Sequence, residues 1–151
     1  MAKSPTVYAF DVDNTLTKTN QSGVDTLDLE PNEKILNLAL FFQRPSEGTI
    51  VITTARDEKS RKLTEKWLKK MGLNPKHVLM RGHGDPRPDP EVKVEQINIL
   101  RKNYGDNIIM YDDKEENCKA VEKETGVPCI RVKQQPWCIW LRPTQMGIQR
   151  L

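Results

Sequence analysis

Five short runs rich in apolar and β-branched residues alternate with longer segments of helical periodicity. This alternation restricts the fold more than any other feature of the chain. The strand-like runs are residues 6–12, 49–54, 77–80, 107–111 and 127–132. After the first run, Pro31 and Asn32 open a helical segment in which Ile35, Leu36, Ala39, Leu40 and Phe41 are predicted to share a face, with Pro45 ending it. Asp57 is the expected N-cap of a second helix reaching Met71, with Leu63, Trp67, Leu68 and Met71 inward and Gly72 as the stop. A third helix is predicted over 90–104, with Val94, Ile97, Leu100 and Tyr104 inward, and a fourth over 114–125. Strands alternating with helices imply an α/β fold of three layers, a five-stranded parallel sheet covered on both faces. Ligands of such sheets bind beyond the carboxyl ends of the strands.

Bulk properties exclude several classes. A chain of 151 residues suits one domain with one core. No apolar run approaches the roughly 18 residues that span a bilayer, and the first ten residues lack the pattern of a secretory signal. Cytoplasmic residence, away from membranes, is the expectation. The three cysteines, Cys118, Cys129 and Cys138, form no CxxC pair, which argues against a disulfide framework and a zinc site. A net charge of +3 and a pI near 8.7 favour an anionic partner only weakly.

The chemistry concentrates where the apolar runs end. The first run ends in FDVDNTLT, residues 10–17, which places Asp11 and Asp13 two positions apart. Asp and Asn favour Asx turns at such a place. A hard cation between the carboxylates is the alternative: Asp11 would bind it by its side chain and Asp13 by its backbone carbonyl, leaving the Asp13 carboxylate free for proton transfer. The second run ends in TTAR, where Thr54 and Arg56 suit a phosphoryl oxygen, or a plain helix cap. Lys93 lies near a helix start, against the macrodipole, so a neighbouring anion would explain it. The fourth run ends in Asp112 and Asp113, either a cap or further metal ligands. In this order the clusters supply a nucleophile, an acid/base, phosphate contacts and metal ligands, the parts that phosphoryl transfer needs.

The order DVDNT, TTAR, lysine, DD resembles the four motifs of the haloacid dehalogenase (HAD) superfamily, spanning residues 7–113. The resemblance implies a Rossmann-like fold in which Asp11 attacks phosphorus and becomes an aspartyl-phosphate. Asp13 protonates the leaving oxygen and then activates water. Thr54 and Lys93 hold phosphoryl oxygens, and Asp11, the Asp13 carbonyl, Asp112 and Asp113 hold Mg2+. Asp13 points to phosphomonoester hydrolysis, because dehalogenases and transport ATPases of the superfamily lack an aspartate there.

Residues 54–72, 81–97 and 111–132 further resemble the phosphatase domain of bacteriophage polynucleotide kinase, a resemblance covering roughly residues 5–133. It implies removal of 3′-phosphates from DNA or RNA ends and assigns Arg87 and Asp89 to a substrate loop ahead of Lys93. Asn14 replaces a glycine common in the superfamily, the loop between Met80 and Arg87 is shorter, and no GxxxxGK[ST] motif occurs, so no 5′-kinase activity is expected of this chain. Residues 17–30 and 57–93 are the places for a cap domain, and the basic fold consumes both. An uncapped site accepts a polymer end, a nucleic acid or a phosphoprotein, whereas small metabolites usually need a lid. The segment 56–70 is rich in lysine and arginine, as a solvated helix face or a phosphate-tracking surface would be. The phosphatase domain is expected over 1–133. Residues 134–151 form an extension whose Trp137 and Trp140 either pack on the same domain or on a second subunit, which would make a homo-oligomer, or stack on bases beside Arg142 and Arg150.

Overall fold

A computed structural model of the chain describes residues 5–19, 21 and 23–134. The sheet is five-stranded and wholly parallel, in the order β3-β2-β1-β4-β5. Its strands are β1 (Thr6–Phe10), β2 (Gly48–Asp57), β3 (Val78–Arg81), β4 (Ile108–Asp112) and β5 (Cys129–Arg131). The helices are α1 (Glu33–Phe42), α2 (Arg61–Lys70), α3 (Asp89–Tyr104) and α4 (Glu115–Thr125).

Successive strand side chains point to opposite faces, and that period of two builds two cores. Phe10, Ile50, Ile52 and Tyr111 meet Ile35, Leu36 and Ala39 of α1 and Trp67 and Leu68 of α2. Val7, Ala9, Val51, Ile108 and Met110 meet Ile97 and Leu100 of α3 and Val121 of α4. The expected three layers are present, with two helices on each face. Gly48 opens β2 where a side chain has no room: a Cβ there would collide with the Thr6 carbonyl oxygen and the Tyr8 ring. That contact fixes the first pairing of the two central strands, Thr6 opposite Gly48.

Several boundaries and faces differ from the sequence expectation. The first strand stops at Phe10 rather than residue 12, because the chain turns tightly over Val12–Leu16. Asn14 takes φ 61° there, the left-handed conformation that asparagine tolerates better than most residues. Strand β2 runs on to Asp57, three residues past Thr54, carried by pairing of Asp57 with Arg81 of β3 after a shift of register. Asp57 therefore caps only a short 3-10 turn, accepting from Lys59 N–H, and α2 begins at Arg61. Phe41 is 44% exposed and Leu63 42%. On α1 the inward side continues to Phe42, which stacks on Tyr8, while Phe41 lies under the Arg44 guanidinium. On α2 the inward place falls to Thr64, whose hydroxyl accepts a hydrogen bond from Arg56.

The segment between the first turn and α1 closes on itself. Thr17 bridges to Pro31, Gln21 bonds to the Glu30 backbone, and Lys70 of α2 donates to the Leu27 carbonyl. Among the described residues, no further folded unit stands over the carboxyl ends of the strands. The extension after residue 134, with its two tryptophans and any subunit contact, lies outside the described residues.

Candidate active site

The carboxyl ends of β1, β2 and β4 converge on a cleft of about 310 Å3 lined by Asp11, Asp13, Arg56, Lys93 and Asp113, among others. Among the described residues, two larger clefts, beside α2 and beside α1, hold no comparable set of acids and bases.

Asp11 leaves β1 as the strand ends and is almost fully buried. One carboxylate oxygen accepts from the Thr15 hydroxyl at 3.1 Å, the other from Lys93 Nζ at 2.9 Å. Lys93 reaches it from the first turns of α3 with its side chain 1% exposed, and also meets Asp112 Oδ2 at 3.0 Å and the Thr53 carbonyl at 2.5 Å. The anion that its place near a helix start demanded is therefore a pair of buried carboxylates. Burial works against the ammonium, but Asp11 and Asp112 outweigh it and hold the Lys93 pKa above that of ordinary lysine.

Asp112 closes β4 and is wholly buried. Besides Lys93, it accepts from the Lys114 backbone N–H at 2.9 Å and from Asn117 Nδ2 at 3.2 and 3.3 Å. Asp11, Asp112 and Asp113 each offer a carboxylate oxygen, and these atoms lie within 4.8 Å of one another. Burial raises the Asp11 carboxyl well above the usual range; Lys93 offsets part of this, and Asp112 adds to it. Burial likewise raises Asp113. Three crowded hard oxygen donors are the donor set a small divalent cation stabilises, so the residues fit Mg2+.

Asp13 stands apart. Its half-exposed carboxylate is clasped by the Arg56 guanidinium in a two-pronged pair, Nε to Oδ2 at 2.8 Å and Nη2 to Oδ1 at 2.7 Å. The third nitrogen of Arg56 donates to Thr64 Oγ1 at 3.0 Å. Arg56 thus faces Asp13 rather than standing free for a phosphoryl group. Thr54 is fully buried beneath the cleft. Its hydroxyl oxygen accepts the Arg56 N–H at 3.1 Å, which leaves its own proton free to donate. Asp89 lines the cleft between two cations: it pairs with Arg81, and with Lys114 Nζ at 2.7 Å. Arg87 is not brought to the site. Its guanidinium is taken by Asp85 at 2.7 Å and Glu95 at 2.7 Å.

Four residues around the site were not singled out in the sequence. Arg81 ends β3 and binds the Ala55 carbonyl at 3.0 Å. Lys114 follows the acidic pair. Gln96, one turn beyond Lys93, donates to the Thr54 carbonyl at 2.8 Å and fixes the end of β2. Asn117 holds Asp112. For Gln96 and Asn117 a signal existed: each is a polar residue within the buried stripe of its helix, beside Ile97 and Cys118 respectively.

A buried aspartate beside a second aspartate two residues on, a lysine on its carboxylate and an acidic pair across the sheet define a phosphatase of the HAD superfamily. Within that class, the model of the polynucleotide kinase PNKP phosphatase domain matches residues 5–137, and the chain belongs to this family. Comparison with curated proteins yields no significant match.

Solved structures agree on the fold. A chain of the Pnkp1/Rnl/Hen1 complex superposes with a TM-score of 0.71 at 20% identity, covering 85% of this chain and 46% of that one. A second such chain, from the Pnkp1/Rnl/Hen1 RNA repair complex, gives 0.71 at 20% identity over 87% and 43%. This chain thus spans less than half the length of those polypeptides. A HAD family enzyme from Bacteroides thetaiotaomicron, in complex with magnesium and inorganic phosphate, gives 0.56 at 11% identity over 91% and 100%. Among the described residues no helix is long and apolar enough to cross a membrane.

Proposed function

We propose that the chain is a Mg2+-dependent phosphomonoesterase that removes 3′-phosphates from DNA or RNA ends through an aspartyl-phosphate. One observation carries the reading: the buried Asp11 carboxylate lies at the floor of a cleft that no described part of the chain covers. An uncovered site admits the end of a polymer. Membership of the PNKP phosphatase family supports a polynucleotide as that polymer, as does the RNA repair complex in which a structural relative sits. Helix α2 adds exposed lysines at 62, 66 and 69, on one side of a helix that starts beside the site.

In this reading Asp11 attacks phosphorus, and Lys93 balances charge on the phosphoryl oxygens while holding Asp11 in place. Thr54 donates its free hydroxyl proton to the same group. Asp13, oriented by Arg56, gives a proton to the departing 3′-oxygen and takes one from the water that hydrolyses the aspartyl-phosphate. Asp11, Asp112 and Asp113, with the Asp13 carbonyl, would hold Mg2+, which when bound supplies Lewis-acid neutralisation of the phosphoryl charge.

The test is phosphate release from 3′-phosphorylated DNA and RNA oligonucleotides, 3′-mononucleotides, sugar phosphates and a phosphopeptide at equal ionic strength, with Asp11→Asn as the inactive control. Phosphates beyond the scissile one release counterions when bound, so log affinity should fall by about 0.7 per log unit of salt for each single-strand contact. Oligonucleotides should show the higher kcat/KM and the steeper salt dependence. Equal efficiency and matching salt dependence for mononucleotide and oligonucleotide would replace the polymer-end reading with a small phosphorylated metabolite. A dominant phosphopeptide rate would replace it with a phosphoprotein.

A further inference from the structure

Behind the acidic cluster lie two cysteines that the catalytic reading does not use. Cys118 sits in the second turn of α4, buried, with its thiol directed at the Asp112 carbonyl oxygen at 3.8 Å. Cys129 opens β5, opposite Met110 of β4, and is partly buried against the core shared with α3 and α4. The two sulfurs are 2.7 Å apart. That is closer than unbonded sulfurs pack, and a covalent bond at about 2.05 Å requires only a small further approach. The backbone already holds this geometry. Gly126 turns the chain between helix and strand at φ 77°, Met110 donates to the Pro128 carbonyl at 3.0 Å, and Cys129 N–H donates to Glu122 at 3.2 Å. Residues separated by eleven positions are thereby placed sulfur to sulfur on neighbouring elements.

We propose that Cys118 and Cys129 are an oxidative modification site, a dithiol that a peroxide converts into a disulfide stapling α4 to β5. The reaction balances with hydrogen peroxide as the oxidant. The more exposed Cys129 sulfur attacks the O–O bond, releasing water and becoming a sulfenic acid. Cys118 then attacks that sulfur; the S–S bond forms, and the hydroxyl leaves as a second water with the Cys118 proton. Two electrons pass from the sulfurs to the peroxide. The hydrogen bond to Cys118, then burial, push the Cys129 thiol up, so little thiolate is present and closure is slow, needing excess peroxide. The staple secures the helix whose Asn117 side chain holds Asp112. It closes a loop of only a dozen residues, short enough that the chain-entropy gain is moderate.

Peptide mapping of Cys138→Ser, which removes the third thiol, tests this without reference to the phosphatase reading. The protein is treated with hydrogen peroxide, unfolded in iodoacetamide and digested with trypsin. The expected product joins the peptide of residues 115–119 to that of residues 124–131, about 2 Da below the sum of the two free peptides, and dithiothreitol separates them. Intact oxidised protein should melt about 5–10 °C above the reduced form. Alkylation of both cysteines after peroxide, Cys129 over-oxidised beside a free Cys118, or a bond only between different molecules would overturn the assignment.

Discussion

Arg56→Lys separates two roles for this arginine, contact with the substrate phosphate or orientation of Asp13. The guanidinium makes two charge-assisted hydrogen bonds to Asp13 at 2.7 and 2.8 Å and a third to Thr64. Lysine keeps the charge but offers a single point donor, so the Asp13 carboxylate loses its fixed plane. Charge-assisted bonds are worth about 1.5–3 kcal/mol each when dry. Asp13 is half exposed, so the loss from the pair is discounted to about 1–2 kcal/mol. A general acid contributes about 10²–10⁴-fold when well placed, and 1–2 kcal/mol of lost placement corresponds to roughly a 5–30-fold fall. That fall belongs to esters whose leaving oxygen needs a proton. In p-nitrophenyl phosphate the leaving phenolate needs none, so kcat/KM, which reports steps through aspartyl-phosphate formation, should barely change. The assay is kcat/KM for both ester types in wild type and Arg56→Lys at saturating Mg2+. Equal losses on the aryl and the sugar ester, or a rise in KM alone, would refute orientation of Asp13 and return Arg56 to the substrate.

Further expectations concern the buried charges. Lys93→Met strips the cation from Asp11 and Asp112 and should cost about 3–5 kcal/mol in urea unfolding; adding Asp11→Asn should recover part of this, and strict additivity would contradict the coupling. Asn117→Ala removes both contacts to the Asp112 carboxylate and should weaken Mg2+ binding by calorimetry about 10–100-fold; an unchanged affinity would leave Asn117 a packing residue. The Arg87 side chain holds the Asp85 carboxyl at about 2, below its ordinary 3.8. A depressed folded-state pKa stabilises the fold above the unfolded value and loses that contribution as pH falls through the folded one. The urea midpoints of wild type and Asp85→Asn should therefore differ at pH 6 and converge between pH 4 and pH 2, and a difference constant with pH would sink this.

The residues that meet at the site could be read from the sequence because each ends an apolar, β-branched run, and parallel strands bring their carboxyl ends together whatever the details of packing. Asp11, Asp112 and Asp113 were legible on that ground, and Lys93 by its place near a helix start, although their roles in turnover rest on the proposal. What the sequence concealed was partnership. Arg56 and Asp13 are 43 positions apart, and nothing local says that a guanidinium expected to hold phosphate will clasp a carboxylate instead. Arg87 looked available for substrate until Asp85 and Glu95 took it, while Arg81, at the end of β3, kept its place at the cleft with Asp89. The misread helix faces have the same origin. Phe41 and Leu63 are apolar enough for a core, but Phe42 had an aromatic ring to stack on and Thr64 an arginine to bind.

Those partnerships bear on why a site for phosphate should contain so many acids. Around the cleft stand Asp11, Asp13, Asp89, Asp112 and Asp113, against Arg56, Arg81, Lys93 and Lys114. With every group ionised, the acids exceed the bases by one. A phosphate dianion would enter a slightly negative cavity, in which burial already raises the Asp11 carboxyl above its usual range. A divalent cation held by Asp11, Asp112 and Asp113 would reverse that sign, making the site positive by one charge. The paired bases then serve less as free attractants than as fixed dipoles. Each is held at its place by an acid before substrate arrives, so little reorganisation is left for the reaction. On the proposed reading the acids set the sign of the site: without a divalent ion it should repel a phosphate dianion, and with one it should attract it.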